Sequence, residues 1–256
     1  MVPKIIHYIW LSGEEKPELI KNCMETWSKV MPDYEVKCWT MENIPHNDWV
    51  DEAIKAKKWA FASDYIRLYA LYTEGGIYLD SDVVVKKNFD EFLKYPYFTS
   101  IEYNPKILKE SGSDKKLKSD GTKRHPDDKI VGLTIQAAIV GSEKGQEQVK
   151  KAMEYYENHH FLKEDGTPDI STTAPNVMAA VLENYGFKYF NKEQILNNGN
   201  IAIFDTKVFA SGLQYTHPEN YAIHVYTTAW QDWSFSQRLV RKLKLFIKGI
   251  LIKLNA

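Results

Sequence analysis

Apolar and polar positions in the first half of the chain follow patterns typical of short buried strands and amphipathic helices. Apolar and β-branched residues over Lys4–Leu11 and Glu35–Thr40 predict two strands. Pro17–Val30, between them, predicts a helix with Pro in its first turn. Trp59–Thr73 predicts the most apolar helix, which ends at a Glu-Gly-Gly sequence. The short apolar run Ile77–Leu79 then predicts a third strand.

The second half of the chain gives the same kind of pattern after an interruption. Residues 104–129 lack apolar periodicity, contain turn signals and carry eight basic against five acidic residues, so they predict a mobile surface loop or a small insertion. Alternating strands and helices indicate an α/β domain whose sheet has a parallel core. The further predicted elements are a strand over Thr134–Val140, helices over Gly145–His159 and Pro175–Tyr185, and short strands over Ile201–Phe204 and Tyr221–Val225.

Composition places the chain among globular proteins. Its 256 residues are 44% hydrophobic and 26% charged, which suits one main domain, taken here as residues 1–235. Two cysteines without metal spacing fit a reducing compartment. The sequence has no signal-peptide pattern and no run of eighteen apolar residues, so we expect no membrane-spanning helix. We also expect no nucleic-acid partner.

The end of the chain differs in charge from the rest. From residue 238 onward there are six basic residues and no acidic one, so the remaining chain carries −7 although the whole carries −1. Leu239, Leu243, Phe246 and Ile250 recur at helical spacing. Residues 236–256 therefore predict a basic amphipathic helix that lies on an anionic membrane surface, or one that packs on the domain. The first alternative predicts a cytoplasmic protein held peripherally at the inner face of the cell membrane.

Two carboxylates flank Ser81 directly after the predicted third strand. Residues i and i+2 on a strand project to the same side, which would place Asp80 and Asp82 about 6.6 Å apart along it. Their repulsion would be relieved by a hard divalent cation, Mn²⁺ or Mg²⁺, with a diphosphate supplying further oxygen ligands. Open α/β sheets bind ligands beyond the carboxyl ends of their strands. The alternative is a pair of solvated acids at an exposed strand end.

A second charged pair lies on the most apolar predicted helix. Asp64 and Arg67 are three residues apart and so share a helix face. The pair is either half-buried at a site, where the arginine fork binds oxygen ligands, or an intrahelical surface ion pair that contributes little.

These charged residues belong to segments that resemble a known family. Residues 61–72, Phe-Ala-Ser-Asp-Tyr-Ile-Arg-Leu-Tyr-Ala-Leu-Tyr, and 75–82, Gly-Gly-Ile-Tyr-Leu-Asp-Ser-Asp, resemble the sugar-binding region with an Asp-x-Asp motif that defines glycosyltransferase family 32. Residues 2–10 are similar to the start of that family. The resemblance is closest to bacterial capsular polysaccharide synthesis enzymes. Yeast outer-chain mannosyltransferases share the region, and the glucosyltransferase domains of large clostridial toxins are more distantly similar.

The resemblance implies a fold and an activity. The fold is GT-A, a Rossmann-like mixed nucleotide-binding sheet flanked by helices, with an acceptor-binding part. The implied activity is the metal-dependent transfer of a hexose with retention of the anomeric configuration. The donor is a nucleotide sugar, expected to be a UDP-hexose. The acceptor is a glycan or a lipid-linked oligosaccharide in capsular or other surface polysaccharide synthesis. Because no unassigned carboxylate is available as a nucleophile, we expect a same-face route in which the leaving phosphate takes the acceptor proton.

The resemblance also implies roles for individual residues near the motif. Trp10, next to Ile9, corresponds to the ring that stacks on the nucleotide base, although a core tryptophan is the alternative. Asp64 and Arg67 correspond to contacts with the donor sugar and phosphates. Asp82 corresponds to the direct metal ligand. Asp80 corresponds to a contact with ribose, sugar or metal-bound water, and Ser81 lies between them in the donor site.

Later segments supply the remaining candidates. His224 completes the metal shell or binds phosphate, with a structural histidine as the alternative. Trp230 is expected to close over the diphosphate, and Trp233 competes for that role. Gln136 interrupts an apolar strand and is expected to face the donor sugar. Asn176 is a further substrate candidate, with helix-start chemistry as its alternative.

Three other functions stay open at this point. The chain could be a toxin-like transferase that modifies proteins, a nucleotide-sugar hydrolase, or a non-catalytic membrane-associated module that binds nucleotide sugars. The candidate catalytic set, which the last of these would not need, is Asp64, Arg67, Asp80, Asp82 and Gln136.

Overall fold

A mixed β-sheet forms the centre of the computed structural model, which describes residues 1–227 and Lys248. The strands are β1 (Ile5–Ile9), β2 (Glu35–Trp39), β3 (Gly76–Leu79), β4 (Val83–Val85), β5 (Tyr97–Tyr103), β6 (Leu133–Ile135), β7 (Ile139–Ser142), β8 (Gln194–Leu196), β9 (Ile201–Phe204), β10 (Phe209–Ser211) and β11 (Ala222–His224). The helices are α1 (Glu18–Val30), α2 (Asp48–Lys55), α3 (Trp59–Glu74), α4 (Pro105–Glu110), α5 (Glu147–Glu157) and α6 (Ala174–Glu183). Short 3₁₀ turns occupy Asp90–Phe92, Ser113–Lys116, Asn197–Gly199 and Leu213–Tyr215.

The strand order of the main sheet is β2-β1-β3-β7-β5-β9-β8, and β6 pairs with β5 off this path. The β1–β2, β1–β3 and β5–β9 pairs are parallel, whereas β7 is antiparallel to both β3 and β5. The expected parallel core is therefore divided by β7, with parallel pairs on either side of this antiparallel strand. Antiparallel neighbours need no crossover helix, so the chain can bring β7 between β3 and β5 directly.

Two hydrophobic layers cover the main sheet. Along β3, Tyr78 joins the cluster formed with α3, α5 and α6, whereas Ile77 and Leu79 join a cluster on the opposite side with Trp27 of α1. This alternation is the two-residue period of a strand whose faces are both buried. Helix α3 lies inside the first layer, which is why its apolar pattern extends around most of its circumference.

A small second sheet carries part of the candidate site. Its order is β10-β11-β4, and β4 follows β3 after only three residues, 80–82. Strand β11 runs antiparallel to β4, with His224 opposite Val83. The Asp-x-Asp segment is therefore the link between the two sheets, and β11 places a histidine beside it.

Two sequence expectations need correction. The single strand predicted over Thr134–Val140 is two strands, β6 and β7. They separate because Gln136 N still bonds Ser100 O of β5, whereas Ala138 O accepts from Asp80 N after β3. Apolar residues continue through this change of partner, so the sequence shows no break.

Residues 104–129 contain more regular structure than expected. The side chain of Asn104 caps α4 by accepting from Ile107 N, and Pro105 takes the first helical position. A hydrogen bond of 2.7 Å from Asn104 N to Gly132 O closes the neck of this excursion. Its mobility stays a prediction.

The predicted C-terminal helix, 236–256, lies outside the described residues except for Lys248, and its bounds stay a prediction. None of the helices in the described part combines the length and apolar character that crossing a bilayer requires.

Candidate active site

The Asp-x-Asp segment forms a tight turn instead of continuing the strand. Asp80 N donates to Ala138 O at 2.9 Å, and Val83 N donates back to Asp80 O at 3.0 Å. The expected same-side projection from an extended strand is therefore replaced by a turn between β3 and β4. The turn still brings both carboxylates together, because each faces the end of β11.

Asp80, Asp82 and His224 form the one group of potential metal ligands that the described residues contain. Their ligand atoms lie within 4.8 Å of one another. His224 Nε2 is 3.2 Å from Asp82 Oδ1 and 3.7 Å from Asp80 Oδ2. Two carboxylate oxygens and one imidazole nitrogen suit Mn²⁺ or Mg²⁺, with room for ligands from a diphosphate. The chemistry of this donor set fits the ion expected from the sequence.

The carboxylate of Asp82 is buried and held on both oxygens. Besides the contact between Oδ1 and His224, Oδ2 accepts from Thr227 N at 2.8 Å. Burial by itself would raise the pKa of Asp82, but His224 and the Thr227 amide hold it well below its usual range. Burial would lower the pKa of His224, and Asp82 and Asp80 raise it above its usual value. The cluster therefore concentrates negative charge around one imidazole.

Arg67 is a buried hub behind the cluster. Its Nη2 donates to Asp64 Oδ1 at 3.0 Å, and its Nη1 lies 3.4 Å from Asp80 Oδ1. Nη1 also donates to Ala137 O at 2.9 Å, and Nη2 to Ser63 Oγ at 2.9 Å. Asp64 and Arg67 are only 8% and 5% exposed, so the surface ion pair considered from spacing is wrong. Helix α3 thus connects the Asp64 carboxylate to the Asp-x-Asp turn through one guanidinium.

Tyr78 is a member of this network that the sequence analysis missed. Its hydroxyl donates to Asp80 Oδ1 at 2.6 Å, and the Arg67 guanidinium lies 4.6 Å from its ring centroid. Strand alternation could have placed Tyr78 on the α3 face, because it lies two residues before Asp80.

Burial raises the pKa of Asp64 to about 7, although the Arg67 charge opposes that rise.

Trp10 and Ile9 lie at the end of β1 and are both partly buried. The Trp10 ring packs against the cluster that contains Val84 of β4 and Val225 after β11, and its Nε1 donates to Glu14 O. Trp10 is therefore at the same edge as the Asp-x-Asp turn but is not a fully buried core residue. Ser81 is partly buried between the two aspartates.

Of the remaining candidates, Gln136 and Asn176 lie in the described part of the chain. Gln136 is 1% exposed in the break between β6 and β7, and its Oε1 accepts from Ala138 N at 3.3 Å. Asn176 donates to Ile130 O at 3.0 Å and accepts from Thr173 Oγ1, so its polar contacts fasten the start of α6 to the neck of the 104–132 excursion. These contacts match the helix-start alternative for Asn176. Trp230 and Trp233 lie outside the described residues.

Two further residues that were not selected from the sequence interact with the cluster, one through its ring and the other through its charge. Tyr226 places its ring centroid 3.9 Å from that of His224. Glu102, near the end of β5, has a carboxyl group that responds to the charges of His224 and Asp80. An acidic residue at the carboxyl end of a strand is the signal that could have found Glu102, but β5 itself was not predicted.

Comparison with known proteins gives a family match over part of the chain. Residues 17–99 match the family model described as glycosyltransferase sugar-binding region containing DXD motif, which confirms the resemblance over that segment. An uncharacterized glycosyltransferase of Acanthamoeba polyphaga mimivirus is 33% identical over 106 residues, which are 38% of this chain and 42% of that protein. Inositol phosphoceramide mannosyltransferase 3 of Schizosaccharomyces pombe is 33% identical over 101 residues, which are 37% of this chain and 28% of that protein. The chain thus spans less than half the length of either relative.

A solved structure supports the fold over nearly the whole chain. The galactosyltransferase LgtC, in complex with donor and acceptor sugar analogues, aligns with a TM-score of 0.50 at 11% identity, covering 96% of this chain and 95% of that one. The GT-A fold expected from the sequence is confirmed by this likeness together with the mixed sheet.

Proposed function

We propose that this chain, whose residues 17–99 carry the glycosyltransferase sugar-binding region with the Asp-x-Asp motif, is a metal-dependent glycosyltransferase. It transfers a hexose from a nucleotide sugar to a glycan or lipid-linked acceptor. The observation that carries this proposal is the convergence of Asp80, Asp82 and His224 within 4.8 Å, next to the buried Arg67. Such an arrangement concentrates charge where a diphosphate leaving group would lie.

The three clustered side chains would hold the ion. When bound, Mn²⁺ or Mg²⁺ supplies positive charge that stabilises the departing diphosphate. Arg67 holds Asp80 and Asp64 in place and keeps their negative charge compensated inside the protein. Asp64 and Asp82 are buried and Asp80 is partly exposed, so water is excluded from much of this side of the site, which strengthens the electrostatic interactions there.

For the donor we propose a UDP-hexose and retention of the anomeric configuration, on the family resemblance. Trp10 supports this assignment because its partly exposed ring lies at the edge where a base would stack. The same-face route stays our preferred mechanism. Glu102, a carboxyl group that the sequence did not single out, interacts electrostatically with His224 and Asp80, so a glycosyl group trapped on Glu102 would overturn that preference.

For the acceptor we propose that residues 104–132 form one wall of its site. The neck of this excursion lies next to Glu102 and Thr134, which are opposite each other on β5 and β6. Ile107 and Val131 are 42% and 45% exposed near that neck. A basic, partly apolar surface suits a phosphate-linked lipid carrier. We propose accordingly that capsule-type or other surface glycans are the products, and that the enzyme works peripherally at the inner face of the cell membrane.

Thermal stability with ligands tests the core of the proposal, because a ligand that binds the native state raises its melting temperature. UDP with Mn²⁺ should raise the melting temperature more than either alone, and more than GDP with Mn²⁺. Screening UDP-hexoses should then reveal metal-dependent release of UDP. Stabilisation without turnover on any glycan acceptor would favour the binding-module alternative, and turnover on protein acceptors alone would favour the toxin-like one.

A further inference from the structure

Lys248 is the one residue beyond position 227 that the structure describes, and it contacts the segment that follows β11. Its Nζ donates to Val225 O at 2.6 Å and to Tyr226 O at 3.0 Å. The side chain is partly buried, and hydrogen bonds from a charged donor are stronger than bonds between neutral groups. One ammonium group therefore binds two successive backbone carbonyls, directly after the strand that carries His224.

The Tyr226 carbonyl belongs to the same peptide group as the Thr227 N–H. A peptide group is planar, and in the trans form its C=O and N–H point in opposite directions. The oxygen of this group accepts from Lys248, and its N–H donates to Asp82 Oδ2 at 2.8 Å. A single rigid group thus separates the ammonium from the buried carboxylate, and rotating that group would break both hydrogen bonds.

Val225 fixes the start of the same segment to the domain. Its N–H donates to the backbone oxygen of Asp82 at 3.0 Å. Its side chain is fully buried in the apolar cluster that contains Cys23 of α1 and Val84 of β4. Asp82 is therefore held at its main chain by Val225 and at its side chain by Thr227.

The backbone of Tyr226 explains how both carbonyls reach one cation. Successive carbonyls of an extended strand point to opposite sides, whereas the left-handed conformation turns them towards the same side, as in a helical turn. Tyr226 has a φ of 55°, in the left-handed region that residues other than glycine adopt rarely. Such a conformation persists only where the surroundings impose it. The two bonds from Lys248 are a constraint of that kind.

The orientation of the Asp82 carboxylate depends on this segment. Because Oδ2 is held by the Thr227 amide, Oδ1 is left facing His224 Nε2 at 3.2 Å. Carboxylates that bind metals are commonly oriented by hydrogen bonds from groups behind them, and losing such a group weakens metal binding. Here the group behind the carboxylate is a backbone amide, and Lys248 binds the other end of its peptide.

We propose that Lys248 is a positioning residue of the metal centre: by binding two successive carbonyls, it fixes the peptide whose N–H orients the carboxylate of Asp82. This inference rests on the proposed function, because it takes Asp82 as a metal ligand. Lys248 acts through the backbone and does not contact the reacting atoms. One of the six basic residues near the end of the chain would then serve the active site.

The test is calorimetric titration of Mn²⁺ into the full-length protein in the presence of saturating UDP. Lys248→Met keeps the apolar stem but removes the ammonium, so it should weaken Mn²⁺ binding about 10- to 100-fold. A direct charge effect has the opposite sign, because removing a nearby cation would strengthen the binding of Mn²⁺. Lys248→Gln is neutral and shorter. It should show the same loss, and it replaces Lys248→Met if methionine prevents folding.

Two further variants separate the proposed linkage from a general effect. Lys86→Met is the matched control and should bind Mn²⁺ normally, because Lys86 also donates to a backbone carbonyl, His217 O at 3.5 Å, but lies beyond the other end of β4. Tyr226→Asn tests the backbone, because asparagine adopts the left-handed region more readily than tyrosine does. Lys248→Met should therefore lose less Mn²⁺ affinity in a Tyr226→Asn background than in the wild-type background.

Several outcomes would overturn the inference. Normal or tighter Mn²⁺ binding in Lys248→Met and Lys248→Gln would show that the ammonium does not support the ligand set. An equal loss with and without Tyr226→Asn would show that Lys248 does not act through that backbone. Weaker UDP binding by Lys248→Met in the presence of a chelator would make Lys248 a direct diphosphate contact. If the wild-type protein bound no Mn²⁺ with either UDP or GDP, the proposed function would fail first, which separates the two failures.

Discussion

Replacing Arg67 by Met tests whether one buried guanidinium holds the site together. Methionine keeps an unbranched apolar stem but removes the charge and every donor. Arg67 makes five hydrogen bonds in the described structure, to Ser63 (two), Asp64, Asp80 and the Ala137 carbonyl. At a pH well above 7, the pKa to which burial already raises Asp64, the substitution would leave the Asp64 carboxylate charged and buried, without the cation that compensates it.

The size of the effect follows from that stranded charge. Removing one partner of a buried ion pair costs about 3–5 kcal/mol, which is a large part of the roughly 5–15 kcal/mol that stabilises a typical protein. In a domain of this size 1 kcal/mol shifts the melting temperature by about 2–4 °C. Arg67→Met should therefore melt roughly 6–20 °C lower, while Arg67→Met combined with Asp64→Asn should recover part of the loss.

Urea unfolding, followed by tryptophan fluorescence and circular dichroism, measures the free energy of unfolding directly. Lys151→Met is the matched control, because Lys151 also pairs within a helix, with Glu147 at 2.9 Å, but both side chains are exposed. Exposed pairs contribute little, so this variant should be almost unchanged. If Arg67→Met lost no more stability than Lys151→Met, the buried hub would not be a stabilising centre.

Three further predictions concern separate parts of the molecule. Asp82→Asn should keep the melting temperature within a few degrees, because Asn can still accept from the Thr227 amide. The variant should nevertheless lose measurable Mn²⁺ binding in the presence of UDP. A calorimetric Mn²⁺ affinity like that of the wild type would contradict the assignment of Asp82 as a metal ligand. Gly141→Ala should lower the free energy of unfolding in urea by about 1–3 kcal/mol, because the added Cβ would overlap the buried Phe98 ring; an unchanged urea midpoint would show that the ring moves freely. His160 and Glu52 pair at 2.7 Å, which raises the pKa of His160, while the Leu162 amide and His160 lower that of Glu52 against the effect of burial. The stability from this pair should be fullest between the ordinary values of 4.5 and 6.5, and should be lost as pH falls through the lowered pKa of Glu52 or rises through the raised pKa of His160. Glu52→Gln should therefore flatten the melting temperature against pH, and an unaltered profile would refute the coupling.

The parts of the site that are local in sequence were predictable. Helix α3 and strand β3 were found because each is a continuous apolar run with a clear stop, and Asp64, Arg67 and Asp80 are polar exceptions within or beside those runs. The resemblance carried by residues 61–82 then gave these exceptions a chemical role. Their burial and mutual contacts agree with that interpretation.

The parts that depend on contacts between distant segments were not predictable. Strands β4 and β10 have three residues each, too few to show a period. Strand β5 is almost wholly buried, so it lacks the alternation that marks a half-exposed strand. His224 meets Asp80 and Asp82 only because β11 pairs with β4 from the far end of the chain, and no local pattern records that meeting.

The contact of Asp82 with the segment after β11 has a consequence for how the protein folds. Thr227 reaches the Asp82 side chain across 145 residues of chain, and β11 must find β4 over nearly the same separation. Closing so long a loop costs conformational entropy before any contact compensates for it, and pairings of this kind form slowly. The Asp-x-Asp turn can take shape early with β3, but the complete ligand set must await the last described strand. During synthesis the segments that resemble the family therefore leave the ribosome long before their own active site exists.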